Sequence, residues 1–117
     1  MSLDVPAGTA SSLTPSEARV VKLPVLSWDR HAEAIVVLDE SGTPRAYLNR
    51  CRHLPVPLDG GTRAFFDTTG KYLLCGTHGA LYERGTGFCI EGPCRGTALR
   101  PIPLQITEDQ LTLVVPE

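Results

Sequence analysis

Two short patterns constrain this chain more than any other feature of its sequence. Cys51 and His53 form a C-x-H pattern, and Cys75 and His78 form a C-x2-H pattern, with 21 residues between His53 and Cys75. Thiolates suit iron–sulfur clusters, copper(I) and zinc, whereas imidazole suits iron and zinc. Two segments that each offer one sulfur and one nitrogen therefore indicate a metal centre that ties two loops together.

The order of the donors separates the candidate metals. Zinc fingers pair like with like, as C-x2-4-C followed by H-x3-5-H. Here each segment carries one cysteine followed by one histidine, which favours a two-iron cluster clamped between two loops. A structural zinc site, or two structural Cys–His pairs without metal, are the alternatives.

Composition and periodicity predict the fold class. A chain of 117 residues suits one domain, and its 11 glycines and 10 prolines predict frequent turns and short strands. No segment keeps apolar residues at helical spacing, so we expect an all-β domain. The net charge of -2 gives no support for a nucleic-acid partner.

The predicted strands cover residues 19–26, 33–39, 45–49, 63–67, 72–74, 79–83, 88–90, 99–107 and 111–115. Residues 1–18 are rich in Ser, Thr, Ala and Pro and are expected to form a flexible leader. Residues 19–117 are then a single domain, with its metal-binding part between about residues 49 and 95.

The two ligand patterns match the Rieske ferredoxin signature, and Thr86-Gly87 and Gly92-Pro93 stand where that family has them. Over about residues 19–115 the chain resembles a Rieske-type [2Fe–2S] protein. The resemblance implies an antiparallel β-sandwich or barrel base with a smaller cluster-binding subdomain. It also implies one Rieske-type [2Fe–2S] cluster per chain.

The resemblance assigns a role to each candidate ligand. Cys51 and Cys75 would bind the buried iron, and His53 and His78 would bind the outer iron. Both imidazoles would then reach the surface and give an electron a short exit. Gly92-Pro93 matches the short loop that covers the cluster and excludes water from one side.

The ligand set also bears on the reduction potential. Two ferric ions, two sulfides, two thiolates and two neutral imidazoles sum to zero charge, whereas a cluster with four thiolates carries two more negative charges and is harder to reduce. Histidine ligation therefore raises the reduction potential to about -150 to +300 mV, against about -400 mV with four cysteines. High-potential members carry a hydrogen-bonding serine and tyrosine at the positions of Ala80 and Tyr82, and respiratory members carry a disulfide at those of Val56 and Thr77. Only the tyrosine is present here, so we expect a potential in the lower part of the range.

The expected function is one-electron transfer by a small ferredoxin that is not an enzyme alone. By resemblance, its redox partners are a reductase and a terminal oxygenase, or it is the small subunit of a nitrite reductase. The alternatives are a regulatory or scaffold module stabilised by zinc or an iron–sulfur cluster, and a redox sensor that uses Cys89 and Cys94. These two cysteines are expected to be thiols rather than a local disulfide, because the compartment is expected to be reducing.

Two further expectations concern the surroundings of the protein. The chain has no apolar run of the roughly 20 residues that span a bilayer, and no secretory signal at its start, so we expect a cytoplasmic protein without membrane contact. Six arginines fall in or near the metal-binding part. They form either a solvated face or a basic docking rim for an acidic redox partner: Arg50, Arg52, Arg63, Arg84, Arg95 and Arg100.

Overall fold

The computed structural model describes residues 2–23, 33–50, 58, 65–75, 79–92 and 95–116. Within these ranges the regular elements are all β-strands. The strands are β1 (Ser2–Thr9), β2 (Arg19–Lys22), β3 (Glu33–Leu38), β4 (Pro44–Leu48), β5 (Tyr72–Cys75), β6 (Ala80–Glu83), β7 (Cys89–Glu91), β8 (Leu104–Thr107) and β9 (Gln110–Pro116). They form antiparallel three-stranded sheets in the orders β1-β9-β8, β2-β3-β4 and β5-β6-β7. The predicted all-β class is confirmed. Within the described ranges, no helix has the length and apolarity that a membrane crossing requires.

The first compact unit, Met1–Leu48 with Pro101–Glu117, contains the sheets β1-β9-β8 and β2-β3-β4. Side chains from both sheets meet in one apolar cluster. Its buried members are Ala7, Leu13, Leu23, Ala34, Val36, Leu38, Ala46, Leu48, Ile102, Leu111, Leu113 and Val115. On β3, Ile35 and Val37 point to the opposite face and are buried as well, which explains why this strand is apolar without interruption.

The prediction of a flexible leader is wrong for residues 2–9, because this stretch is β1. It pairs antiparallel with β9, from Ser2 opposite Pro116 to Thr9 opposite Gln110. The Ser, Thr and Pro content masks an alternation in which Val5 and Ala7 point toward the core. Pro6 is tolerated because β1 is an edge strand of its sheet.

The segment that follows β1 is also held in place. The Arg19 guanidinium donates hydrogen bonds to the carbonyl oxygen of Thr9, at the end of β1, at 3.0 Å and to the Ser12 hydroxyl at 2.7 Å. The carboxylate of Asp109 accepts from the backbone N–H of Ser11 at 2.9 Å and from its hydroxyl at 2.5 Å. Charged side chains outside the segment therefore fix it, and its own composition gives no sign of them.

Proline shortens the strand predicted over residues 99–107. Pro101 and Pro103 lack an N–H, so they cannot continue a ladder, and the regular strand β8 begins only at Leu104. Before it, the chain makes an isolated pairing of Tyr47 with Pro101, and the Ile102 N–H donates to the Ala46 carbonyl at 2.9 Å. Strand β2 ends at Lys22, whereas the predicted strand ran to residue 26, beyond the described range.

The second compact unit, Asn49–Arg100, contains the sheet β5-β6-β7. The residues predicted to form the metal-binding part, about 49–95, fall inside this unit. Strands β5 and β6, and the turn between β6 and β7, lie close to their predicted positions. This unit therefore carries every residue that the sequence places at the metal centre.

Asp39 organises the turn between β3 and β4. Its Oδ1 accepts hydrogen bonds from the backbone N–H groups of Ser41 and Thr43, both at 2.9 Å, and its Oδ2 accepts from Arg45 Nε at 3.1 Å. Burial raises the pKa of Asp39, but the hydrogen bonds from Thr43, Ser41 and Arg45 outweigh it and lower the pKa from 3.8 to about 2. The ionised carboxylate therefore stabilises the folded turn.

The contribution of Asp39 to stability is present above pH 3.8 and is lost as the pH falls toward about 2, because its pKa is lowered on folding. We expect Asp39→Asn to lower the free energy of unfolding at neutral pH and to weaken its decline in acid. Urea unfolding of wild type and variant from neutral pH down to about pH 3 measures both effects. Glu40→Gln, an exposed change in the same turn, is the control, and equal pH profiles for the two variants would contradict the assignment.

Candidate metal centre

One face of the sheet β5-β6-β7 is buried and carries a candidate ligand. Residues directly opposite each other on antiparallel strands point to the same face. The register opposes Cys75 to Ala80, Leu73 to Tyr82, and Tyr82 to Cys89. All five of these side chains are buried. The candidate ligand Cys75 therefore shares a face with Ala80 and Tyr82, the two residues that sequence analysis placed beside the cluster.

The second candidate ligand segment starts and ends on paired strands. Cys75 is the last residue of β5, and its pairing partner Ala80 is the first residue of β6. The Gly79 N–H donates to the Cys75 carbonyl at 2.8 Å, and Gly79 has a φ of +71°, a value that glycine adopts without strain. The ladder thus fixes both ends of the segment that contains His78, which itself lies outside the described residues.

The first candidate ligand segment is closed by a side chain. The Oδ1 of Asn49, the residue after β4, accepts a hydrogen bond from the Leu58 N–H at 2.9 Å. Both residues are buried, with exposed fractions of 7% and 0%. The candidate ligands Cys51 and His53 lie between them in sequence and outside the described residues. This contact was not predicted from the sequence, although a polar residue directly after the apolar strand β4 was a signal for it.

Gly92 lies against Ala80. Its φ is +101°, and a Cβ placed on it would come within 2.7 Å of the Ala80 Cα and 3.1 Å of the Ala80 Cβ. The Arg95 N–H donates to the Gly92 carbonyl at 3.2 Å and closes the turn. The loop predicted to cover the cluster therefore begins in contact with the strand partner of Cys75. Pro93, the second residue of that motif, lies outside the described residues.

Cys89 sits on the same buried face, with its thiol donating to the Glu91 carbonyl at 3.2 Å. Its backbone N–H donates to the Thr97 carbonyl at 2.8 Å. Cys94, its proposed partner in a local disulfide or redox pair, lies outside the described residues. The state of this cysteine pair stays a prediction.

Arg84 belongs neither to a solvated face nor to a basic docking rim. Its side chain is buried, with 6% exposed, and lies 4.2 Å from the centre of the Phe66 ring. Its guanidinium donates to the Gly70 carbonyl at 2.5 Å. Arg84 thus connects the β6–β7 turn to residues 66–70. Of the other predicted rim residues, Arg95 and Arg100 are exposed and Arg50 is half-buried, whereas Arg52 and Arg63 lie outside the described residues.

The described residues suit an iron–sulfur cluster. Cys75 supplies a soft sulfur donor on a buried face, Tyr82 supplies a hydroxyl on the same face, and Gly92 brings a loop against Ala80. The ranges that the structure describes contain no group of three metal-binding side chains. The other three candidate ligands, Cys51, His53 and His78, lie outside those ranges.

Comparison with known proteins identifies the family. A sequence model of the Rieske [2Fe-2S] domain matches residues 5–108, so the chain belongs to the Rieske [2Fe-2S] domain family. Rieske domains bind a Rieske-type [2Fe–2S] cluster and transfer single electrons, and this membership makes the chain a [2Fe–2S] electron carrier. A comparison with curated proteins found no match.

Solved structures share the fold. The terminal oxygenase of carbazole 1,9a-dioxygenase from Nocardioides aromaticivorans IC177 superimposes with a TM-score of 0.74 at 16% identity, over 97% of this chain and 30% of that chain. The corresponding oxygenase from Novosphingobium sp. KA1 gives a TM-score of 0.72 at 17% identity, over 97% and 30%. This chain thus spans about 30% of the length of those oxygenases.

A further match comes from the complex of reduced oxygenase and oxidized ferredoxin in carbazole 1,9a-dioxygenase. One chain of that complex gives a TM-score of 0.72 at 21% identity, over 95% of this chain and 92% of that chain. The match therefore takes in nearly all of both chains. At this level of identity, it establishes a common fold.

The contact between Gly92 and Ala80 predicts a difference between two glycines of one loop. Gly92→Ala should destabilise the protein by about 2 kcal/mol, because the new Cβ adds a backbone clash to an unfavourable φ. Gly96→Ala is the matched control, since Gly96 has a φ of +94° but no atom within 4 Å of the added Cβ. Thermal unfolding should show the larger loss for Gly92→Ala, and equal losses would contradict the close approach.

Proposed function

We propose that this chain is an electron-transfer component whose [2Fe–2S] cluster is bound by Cys51, His53, Cys75 and His78, and that it is not an enzyme by itself. The observation that carries this proposal is the position of Cys75 at the end of β5, on a buried face shared with Ala80 and Tyr82. A thiolate there is shielded from water and held by the strand ladder. The family match supports the cluster type.

The residues around Cys75 would tune the reduction potential of the cluster. The cluster supplies a site that accepts and releases one electron. On reduction its charge becomes more negative, so a hydrogen-bond donor nearby stabilises the reduced state. Tyr82, on the buried face that carries Cys75, would act as such a donor, whereas Ala80 offers no hydroxyl. The turn that begins at Gly92 would limit the access of water from its side.

We propose a reductase and a terminal oxygenase as the redox partners. The similarity to nearly a whole chain of an oxygenase–ferredoxin complex supports a ferredoxin role over that of an oxygenase subunit. The exposed Arg95 and Arg100 in the Asn49–Arg100 unit give positive charge that would attract an acidic partner surface. Arg84 makes no part of this surface, because it is buried.

Protein purified without oxygen should contain about two iron and two acid-labile sulfide ions per chain and give a rhombic spin-resonance signal on reduction. Cys75→Ser should lower the cluster content about tenfold, because a hard oxygen replaces a soft sulfur donor. Cys89→Ser is the matched control: it changes a cysteine on the same face, retains a donor for the Glu91 carbonyl and should keep the cluster. Stoichiometric zinc, or the absence of iron and sulfide, would refute the proposal.

The potential of the wild-type protein should lie below about +150 mV, within the Rieske range. Ala80→Ser should raise it by about 60 mV and Tyr82→Phe should lower it by about 60 mV, as one hydrogen bond to the cluster is gained or lost. Voltammetry measures both shifts. Leu81→Ser adds a hydroxyl on the opposite face of β6 and should leave the potential unchanged. Shifts of the same sign for Ala80→Ser and Tyr82→Phe would contradict the assignment of this face.

A further inference from the structure

We infer that Asn49 is a positioning residue for the first ligand segment, residues 50–57, and that its side chain governs where Cys51 and His53 are presented. This inference rests on the proposed function, because it concerns two of the proposed cluster ligands. It goes beyond ligand assignment, since Asn49 itself is not a metal donor. Its role would be to hold the two ends of the segment together.

The geometry of the contact supports this role. The Asn49 Oδ1 accepts the Leu58 N–H at 2.9 Å, and both residues are buried. A buried hydrogen bond has no competition from water, and breaking it leaves a buried polar group unsatisfied. This contact therefore resists opening more than an exposed one would.

The sequence of the segment increases the importance of this hydrogen bond. Pro55 and Pro57 have no N–H, so Leu58 offers the first backbone donor after the second proline. Asn49 directly follows the last residue of β4, which is paired with β3. The bond thus ties the far end of a proline-containing segment to the end of a strand.

The two ligand segments are closed by different means. At the second segment, the backbone of Gly79 bonds to that of Cys75, and the ladder continues on both sides. At the first segment, the Asn49 amide supplies the acceptor. Because a side chain is removed by substitution and a backbone group is not, Asn49→Leu isolates the effect of closure on the first segment.

The test compares Asn49→Leu with Arg84→Met in the full chain. Arg84 is the other buried polar residue among the described positions, and it also bonds a backbone group of a separate segment. Trypsin cleavage after Arg50 and Arg52, followed by mass spectrometry, reports opening of the first segment. Release of iron to a chelator and the spin-resonance line shape report the fixing of the cluster.

We expect Asn49→Leu to raise cleavage after Arg50 and Arg52, and the rate of iron release, by about tenfold each. The rhombic spin-resonance signal of the reduced Asn49→Leu variant should also shift and broaden. Arg84→Met should lower thermal stability while leaving all three readouts near wild type. Wild-type readouts in Asn49→Leu, or equal changes in both variants, would overturn the inference. A wild-type protein without iron would refute the proposed function, whereas the cleavage comparison would still decide whether Asn49 closes the segment.

Discussion

The register between β5 and β6 is the constraint on which the candidate site depends. It sets Cys75 opposite Ala80 and places Tyr82 on the same buried face. A slip of one residue would turn the side chains of one strand to the opposite face and separate the sulfur donor from the hydroxyl. The approach of Gly92 to Ala80 depends on the neighbouring pairing of β6 with β7, since Gly92 directly follows β7. Strand pairing and metal chemistry are therefore linked in this part of the molecule.

Local patterns predicted much of this fold. The β3–β4 hairpin and strands β5, β6 and β9 were found close to their observed positions, because alternation and turn residues are encoded within a few neighbours. β1 was missed because it pairs with β9, at the other end of the sequence. The burial of Arg84 was missed because its partners, Phe66 and Gly70, lie across a turn. Donor type and spacing suggested four ligands, and Cys75 is the one of them that lies within the described part of the chain.

Asn49 and Arg84 show how a unit with short strands can be ordered by polar side chains. Burying an amide or a guanidinium costs free energy unless its hydrogen-bonding groups are satisfied. Here each side chain contacts a backbone group of another segment, at Leu58 and at Gly70. Such contacts are directional, so they specify one arrangement of the joined segments more narrowly than apolar packing does. This property suits a unit whose proposed task requires ligands from two segments at fixed positions.

The pairing of β1 with β9 has a practical consequence for engineering. Ser2 lies opposite Pro116, and Cα atoms of such partners are only about 5 Å apart. A short linker would thus suffice to join these positions, and new ends can be opened just before Glu108 in the exposed turn between β8 and β9, which keeps Asp109 and its contacts with Ser11 on the strand that follows. Circular permutants and reporter fusions built this way would leave every proposed cluster ligand at its place in the sequence order between β4 and β6.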